Sequence, residues 1–242
     1  MNRVAAAIKI AEGWRLHGGA AALAIRLTLT AAALVVWFWT QSLIGGRISA
    51  VNAIGDRLLD LTAPLNAYLF SRPPAADGLL IASSGIIDLL GLFLLARWIF
   101  GGSTRPFIGL IIVLGLRQTA QALVTLPIPA NAIWHYPGFP SLLVTYTVAN
   151  DYFFSGHTAI AVLALIEISR MRYAWLTVLA VLIAIFEIAS VLALRVHYTM
   201  DVFTGVVTGL YAAYLAASIS TRFAPGSRNP MSPDRNNERL ET

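Results

Sequence analysis

Six apolar windows, each close to the length needed to cross a bilayer, constrain this chain more than anything else in its sequence. They fall near 21–44, 79–99, 106–125, 154–170, 173–194 and 199–220. A helix needs about 20 apolar residues to traverse roughly 30 Å of hydrocarbon. Lipid offers no partner to backbone N–H and C=O groups, so each span must satisfy its own. Composition agrees: 57% of the 242 residues are hydrophobic and 12% charged, with a mean hydropathy of +0.71, beyond what a soluble domain carries. The expected fold is an all-α integral membrane protein, a six-helix bundle over residues 20–220. A cytoplasmic segment, 1–19, precedes it, with Arg3, Lys9 and Arg15 among alanines and no small-residue cleavage site, so it reads as a retained lead-in. The polar, Arg-, Asn- and Pro-rich stretch 221–242 reads as a disordered cytoplasmic tail.

Basic residues set the orientation, because short cytoplasmic loops are enriched in Lys and Arg. With the N-terminus inside, Arg3, Lys9, Arg15, Arg97, Arg105, Arg170, Arg172, Arg222, Arg228, Arg235 and Arg239 face the cytoplasm, against Arg47, Arg57, Arg72 and Arg195 outside. Both termini are then cytoplasmic, and the expected location is the inner (plasma) membrane of a bacterium. The net charge of +5 follows from this bias toward anionic inner-leaflet lipid and gives no reason to expect nucleic acid. The chain has no cysteine, which removes thiol chemistry without fixing a compartment.

Two outer segments are long enough to carry function. Residues 45–77 hold a helical apolar pattern interrupted by Pro64, Pro73 and Pro74, which predicts a surface helix on the outer leaflet. Residues 126–153 combine four prolines with Trp134, Tyr136, Phe139, Tyr146 and Tyr152, as expected of an interfacial lid over a lipid entrance.

Two short blocks carry chemistry, Ser155-Gly156-His157-Thr158 and His197-Tyr198-Thr199-Met200-Asp201. From His157 the chain descends one span and climbs the next to reach His197, so both imidazoles return to the outer face. Asp201 lies four residues after His197, on the same side of a helical turn, where a carboxylate fixes the tautomer and raises the basicity of the ring. Ser155 and Gly156 open the fourth span, where free N–H groups and the helix dipole attract an anion. Breaking a P–O bond needs an in-line nucleophile, charge stabilisation and a proton for the leaving oxygen. His197 is the expected nucleophile, forming a phosphohistidine, and His157 the acid and then the base. Taken singly, each histidine reads as a polar anchor at a span end; together with these neighbours they read as a catalytic pair. No metal is expected, since only His157, His197 and Asp201 converge and neither an HExxH nor a cysteine set is present. No cofactor is expected either.

Three stretches carry a family resemblance: Arg117–Pro129 (RQTAQALVTLPIP), Asn150–Ile160 (NDYFFSGHTAI) and Leu194–Val202 (LRVHYTMDV). Together they resemble the signature blocks of the sphingomyelin synthase-like branch of the type 2 phosphatidic acid phosphatase and lipid phosphotransferase superfamily, over about residues 117–215. The resemblance implies a six-span lipid enzyme, a triad of His157, His197 and Asp201, a metal-free phosphohistidine route, and Asp151 in the reaction chamber. Candidate phosphate or headgroup contacts are Ser155, Gly156, Asp151, Tyr198, Arg117 and Arg195. Departures from the monoesterase pattern are informative. Phe154 stands where those phosphatases have proline, Val191 where they have arginine, and Lys9 is the last lysine. A phosphomonoester carries nearly two negative charges and a diester one, so a site poor in cations favours the diester.

Asp88, Arg117 and Glu187 sit at about 12 to 14 Å depth, counting ~1.5 Å per residue from their span ends, which predicts either a structural ion cluster or a direct role for Arg117 at the phosphate. Glu167 is expected to pair with Arg170 at the inner end. Gly205 and Gly209 form a GxxxG, read as packing within the bundle, with a homo-oligomer contact as the alternative. His17 and His135 have no charged neighbour in sequence and receive no chemistry.

The expected function is transfer of a phospholipid headgroup phosphate, phosphoethanolamine or phosphocholine, to a lipid alcohol such as ceramide with release of diacylglycerol; with water as acceptor it becomes phospholipase C-like hydrolysis. The alternatives are a phosphatidic acid or prenyl diphosphate phosphatase and, from another class, a lipid transporter or scramblase. The partners are thus phospholipid and lipid-alcohol substrates.

Overall fold

The computed structural model describes residues 20–45, 54–146 and 152–222. Among them are eight helices and no strand: α1 (Ala20–Gly45), α2 (Arg57–Leu61), α3 (Ala63–Phe70), α4 (Pro73–Ile99), α5 (Arg105–Leu123), α6 (Gly156–Ser169), α7 (Ala174–Ala193) and α8 (Thr199–Arg222). Five of these, α1, α4, α5, α7 and α8, are long and apolar enough to cross a membrane. Their outward faces stay apolar, with Val35, Leu89, Trp175 and Tyr214 all exposed, as lipid-facing surfaces must be. The expected segment 1–19 and residues 223–242 of the expected tail 221–242 lie outside the described residues; Thr221 and Arg222 instead end α8.

The sixth expected span is the one that differs. Helix α6 has 14 residues, about 21 Å at ~1.5 Å per residue, short of the ~30 Å of hydrocarbon. It is the inner helix of the bundle. Ala159, Ile160, Ala161, Val162, Leu163 and Ala164 are buried without a break, as an all-round apolar helix requires. The second span begins at Pro73 rather than near 79, because its two prolines occupy the first turn, where a missing N–H costs nothing. The expected outer surface helix is two short helices, α2 and α3, joined at Thr62, with Pro64 in the first turn of α3.

Helix α6 seats on α8 through the two glycines of the GxxxG. A Cβ on Gly205 would lie 2.7 Å from the Ser155 carbonyl oxygen, and one on Gly209 would lie 2.8 Å from that of Ala159. Those obstacles are backbone, so the glycines serve packing within the bundle. Gly109 of α5 likewise admits Leu163 of α6.

The outer segments clamp the carboxyl end of α7, where the last carbonyls of a helix lack intrahelical partners. Buried Asn66 donates to Ala193 O at 2.9 Å, and the Ile133 N–H donates to Leu194 O at 2.8 Å. Asp56 caps two helices at once: it accepts from Leu58 N and Leu59 N of α2, and from Thr199 N and Oγ1 of α8 at 2.6 Å each.

The intramembrane charges do not form one cluster. Asp88 accepts from Leu142 N, Leu143 N and Ser141 Oγ at 2.8–3.0 Å, holding a re-entrant loop inside the bundle. Leu143 and Val144 of that loop are buried, while Leu142 stays exposed. Glu187 accepts from Ser83 Oγ at 2.6 Å, and Arg117 turns to Phe154 O. Glu167 pairs with Arg170 at 2.5 Å as expected, with Arg105 nearby at 3.9 Å.

Burial alone would raise the Asp56 carboxyl, but its bonds from Thr199, Leu59 and Leu58 hold it below the ordinary 3.8. A depressed carboxylate stabilises the fold above its unfolded pKa, and the stabilisation fades as pH falls toward the folded one. Asp56→Asn should therefore lower the melting temperature in micelles at pH 7, and the gap to wild type should narrow between pH 4 and pH 3. A gap that holds or widens there would contradict the double cap.

Candidate active site

The two histidines meet across a small cavity at the outer-loop end of the bundle. His157 opens α6 behind the Ser155 cap, and His197 sits in the turn between α7 and α8. Both line the cavity, together with Arg117, Gly156, Trp37 and Trp134. The remaining lining is mostly aliphatic, and among the described residues it contains no carboxylate.

The turn that delivers His197 is a Schellman motif. Arg195 N donates to Leu192 O and Val196 N donates to Val191 O, with Arg195 in the left-handed region at φ 55°. That position normally takes glycine. Arg195 holds it with two guanidinium bonds, to Ala130 O and Leu59 O at 3.0 Å each. Its charge is thus turned to the outer loops and away from the cavity.

His197 is 5% exposed, and its Nδ1 lies 2.6 Å from Tyr152 O. A carbonyl can only accept, so Nδ1 carries the proton and Nε2 keeps its lone pair. Asp201 Oδ2 is 3.7 Å from Nδ1, beyond hydrogen-bond reach, and accepts instead from Tyr198 N at 2.8 Å. The tautomer is therefore set by a backbone carbonyl, with the Asp201 carboxyl group behind it. Asp201 is fully buried, and its Oδ1 accepts no hydrogen bond from a described residue. The two blocks also lock to each other directly, through Ser155 N donating to Asp201 O at 3.1 Å.

His157 stands edge-on to Trp134, with centroids 6.5 Å apart. Arg117, 7% exposed, donates from Nε to Phe154 O at 3.2 Å and from Nη1 to Gln121 Oε1 at 3.3 Å. Glycine at 156 makes room for it, since a Cβ there would come 2.9 Å from Arg117 Nε. Of the expected contacts, Gly156 and Arg117 join the histidines at the cavity. Ser155 is a buried cap, its Oγ accepting from Thr158 N and Oγ1. Tyr198 donates its phenol to Pro127 O at 3.1 Å, and burial pushes that phenol above its ordinary 10.0. Asp151 lies outside the described residues.

Several contributors have no local signal in sequence. The Tyr152 carbonyl, Asn66 and Asp56 act through partners 45 to 143 residues away. His135, which has no charged neighbour in sequence, meets Asp77 across 58 residues at 2.6 Å and is half exposed. Of the expected lid, Trp134, Leu143, Val144, Thr145 and Tyr152 line the cavity, with the Trp134 and Tyr146 rings tilted at 41° and 4.9 Å apart.

A family model described as AtPDCT1/2 matches residues 56–218, about two thirds of the chain. The chain belongs to the AtPDCT1/2 family. The matched segment starts at the double cap Asp56 and contains His157, His197, Asp201 and Arg117. A curated relative, phosphatidylcholine:diacylglycerol cholinephosphotransferase 1 of Arabidopsis thaliana, is 25% identical over 156 residues, covering 64% of this chain and 50% of that protein. The chain thus spans about half the length of the AtPDCT1/2 relative it matches.

A residue held in the left-handed region by its own hydrogen bonds responds in a characteristic way to truncation. Arg195→Gly should be more stable than Arg195→Ala by about 1 kcal/mol, because both lose the guanidinium bonds and only alanine retains the backbone strain. Thermal unfolding in micelles checks the order; equal or reversed stabilities would contradict this role for Arg195.

Proposed function

We propose that this protein is a lipid phosphotransferase that moves phosphocholine from phosphatidylcholine to diacylglycerol through a phosphohistidine on His197. The observation that carries the reading is two imidazoles facing one small, largely apolar cavity that, among the described residues, holds a single arginine. One fixed cation suits the single negative charge of a phosphodiester and is a poor clamp for a monoester. The cavity's aromatic lining, Trp37, Trp134 and Tyr152, suits a trimethylammonium group, which offers no hydrogen-bond donor and is held by ring faces. A primary ammonium would look instead for acceptors. The relative's name carries the same donor and acceptor.

The steps balance as follows. The Nε2 lone pair of His197 attacks phosphorus in line, the P–N bond forms as the P–O bond to glycerol breaks, and His157 gives its proton to the departing alkoxide. The Nδ1 proton stays on its bond to Tyr152 O, and the Asp201 carboxylate offsets the charge of the phosphorylated ring. An incoming diacylglycerol hydroxyl then surrenders its proton to His157 and attacks phosphorus, freeing His197. Arg117 stabilises the charge on the non-bridging oxygens throughout. No metal or cofactor enters the route.

The basic residues Arg97, Arg105, Arg170, Arg172 and Arg222 lie at helix ends away from the histidines, which under the positive-inside rule supports a reading with the cavity toward the outer side. A transport route through Asp88, Arg117 and Glu187 draws no support from their separate partners.

Purified protein in phosphatidylcholine micelles with fluorescent diacylglycerol should yield fluorescent phosphatidylcholine. His197→Ala and His157→Ala should each lose about 10³-fold or more. Gly156→Ala, which displaces Arg117, should lose roughly 10- to 100-fold with the fold intact. A parallel reaction with ceramide tests the acceptor of the sphingomyelin synthase-like enzymes. Turnover unaffected by His197→Ala, or phosphate release from phosphatidic acid without any headgroup transfer, would overturn the proposal.

A further inference from the structure

A second cavity adjoins the first on its membrane side. It lies between α1, α4 and α5 and is lined by Thr30, Leu34, Leu95, Leu110 and Ile111, with Leu142 and Leu143 of the re-entrant loop at one end. It shares three side chains with the reaction cavity, Trp37, Leu114 and Leu143, which form the partition between them. From Trp37 to Thr30 and from Leu114 to Phe107 the walls run seven residues along each helix, about 10 Å at ~1.5 Å per residue.

Resting on the headgroup reading above, we infer that this slot holds one acyl chain of the phospholipid whose phosphate lies between His157 and His197. Three observations commit it to that occupant. The slot begins where the reaction cavity ends, so a diester seated between the histidines has its glycerol at the partition and its chain directed along the slot. Its lining is apolar along three helices that are themselves long and apolar enough to span a membrane. It also has a lipid-side entrance: α1 is the least buried of the five long helices, 11% of its most apolar stretch against 33–44% for the others, and Ile111 on the facing wall is 41% exposed.

The partition is built to one shape. Gly91 of α4 leaves the space that Leu143 Cδ1 fills, and a Cβ at 91 would take that same space. Leu143 is presented there by the three bonds that the loop gives to Asp88. Thr145, two residues on, accepts from Gln41 of α1 at 3.1 Å, and Gln41 accepts from Gln118 of α5 at 2.7 Å. Gln41 thereby ties the loop to α1 and α1 to α5 beside the slot.

The test uses full-length protein and phosphatidylcholine carrying a carbene-forming group near the middle of one acyl chain. Photolysis and peptide mass spectrometry should place adducts on Leu95 and Leu110, which are buried and closed to bulk lipid. Ala33→Phe, filling the slot from α1, should abolish those adducts while adducts on the lipid-facing surface persist; Ile111→Trp fills it from α5 if the first variant fails to fold. In headgroup transfer the ratio of dihexanoyl to dioleoyl phosphatidylcholine turnover should rise about tenfold or more in the filled protein. Absence of adducts at Leu95 and Leu110, or adducts unchanged by filling, would overturn the chain site. Wild-type protein that transfers no headgroup from either lipid would overturn the headgroup reading instead, and the adducts would still decide the slot.

Discussion

The close seat of α6 on α8 is the contact on which the rest of the arrangement depends. Gly205 and Gly209 let the backbones approach until a single added carbon would collide with the carbonyls of Ser155 and Ala159. Association of helices in lipid gains little from hydrophobicity and much from such packing. The seat has a chemical consequence because the two facing elements begin with the two histidine blocks. With α6 against α8, Ser155 N reaches Asp201 O and the Tyr152 carbonyl reaches His197 Nδ1. One packing contact thus fixes a distance, a tautomer and the direction of a lone pair.

Around this pair the outer segments act as fasteners more than as ligands. Asn66 and Ile133 satisfy the carboxyl end of α7, Asp56 ties α2 to α8, and Arg195 holds the turn that presents His197. Each bond joins parts of the chain far apart in sequence, so the loops contribute to the cavity by making its floor rigid. Among the described residues of these segments, Trp134, the stretch around Leu143 and Tyr152 reach inward to line it. The result is a largely apolar site in which Arg117 is the one cationic side chain among the described lining residues.

Much of the fold was legible because lipid imposes a one-dimensional code: apolar runs of spanning length announce themselves without reference to partners. The exception, α6, is apolar because it is surrounded by protein, and periodicity cannot tell that environment from lipid. The histidine blocks were legible through spacing, since two antiparallel helices return the chain to one face. What sequence could not convey was direction. Arg195 neighbours the second histidine block, yet a left-handed backbone turns its side chain outward, whereas Arg117, mid-helix and remote in sequence, points to the cavity because Gly156 leaves room. Equal depth for Asp88, Arg117 and Glu187 likewise said nothing of azimuth, and each found a different partner. The carbonyl that orients His197 carries no side-chain signal.

The central claim is that His197 Nε2 takes the phosphoryl group. Its most direct test is to incubate the protein with phosphatidylcholine labelled at the headgroup phosphorus, without acceptor, then quench and map the label. The account predicts an acid-labile, alkali-stable adduct on the peptide containing His197, lost in His197→Ala and discharged by adding diacylglycerol. Label on His157, or steady turnover with no labelled protein at any time, would contradict it.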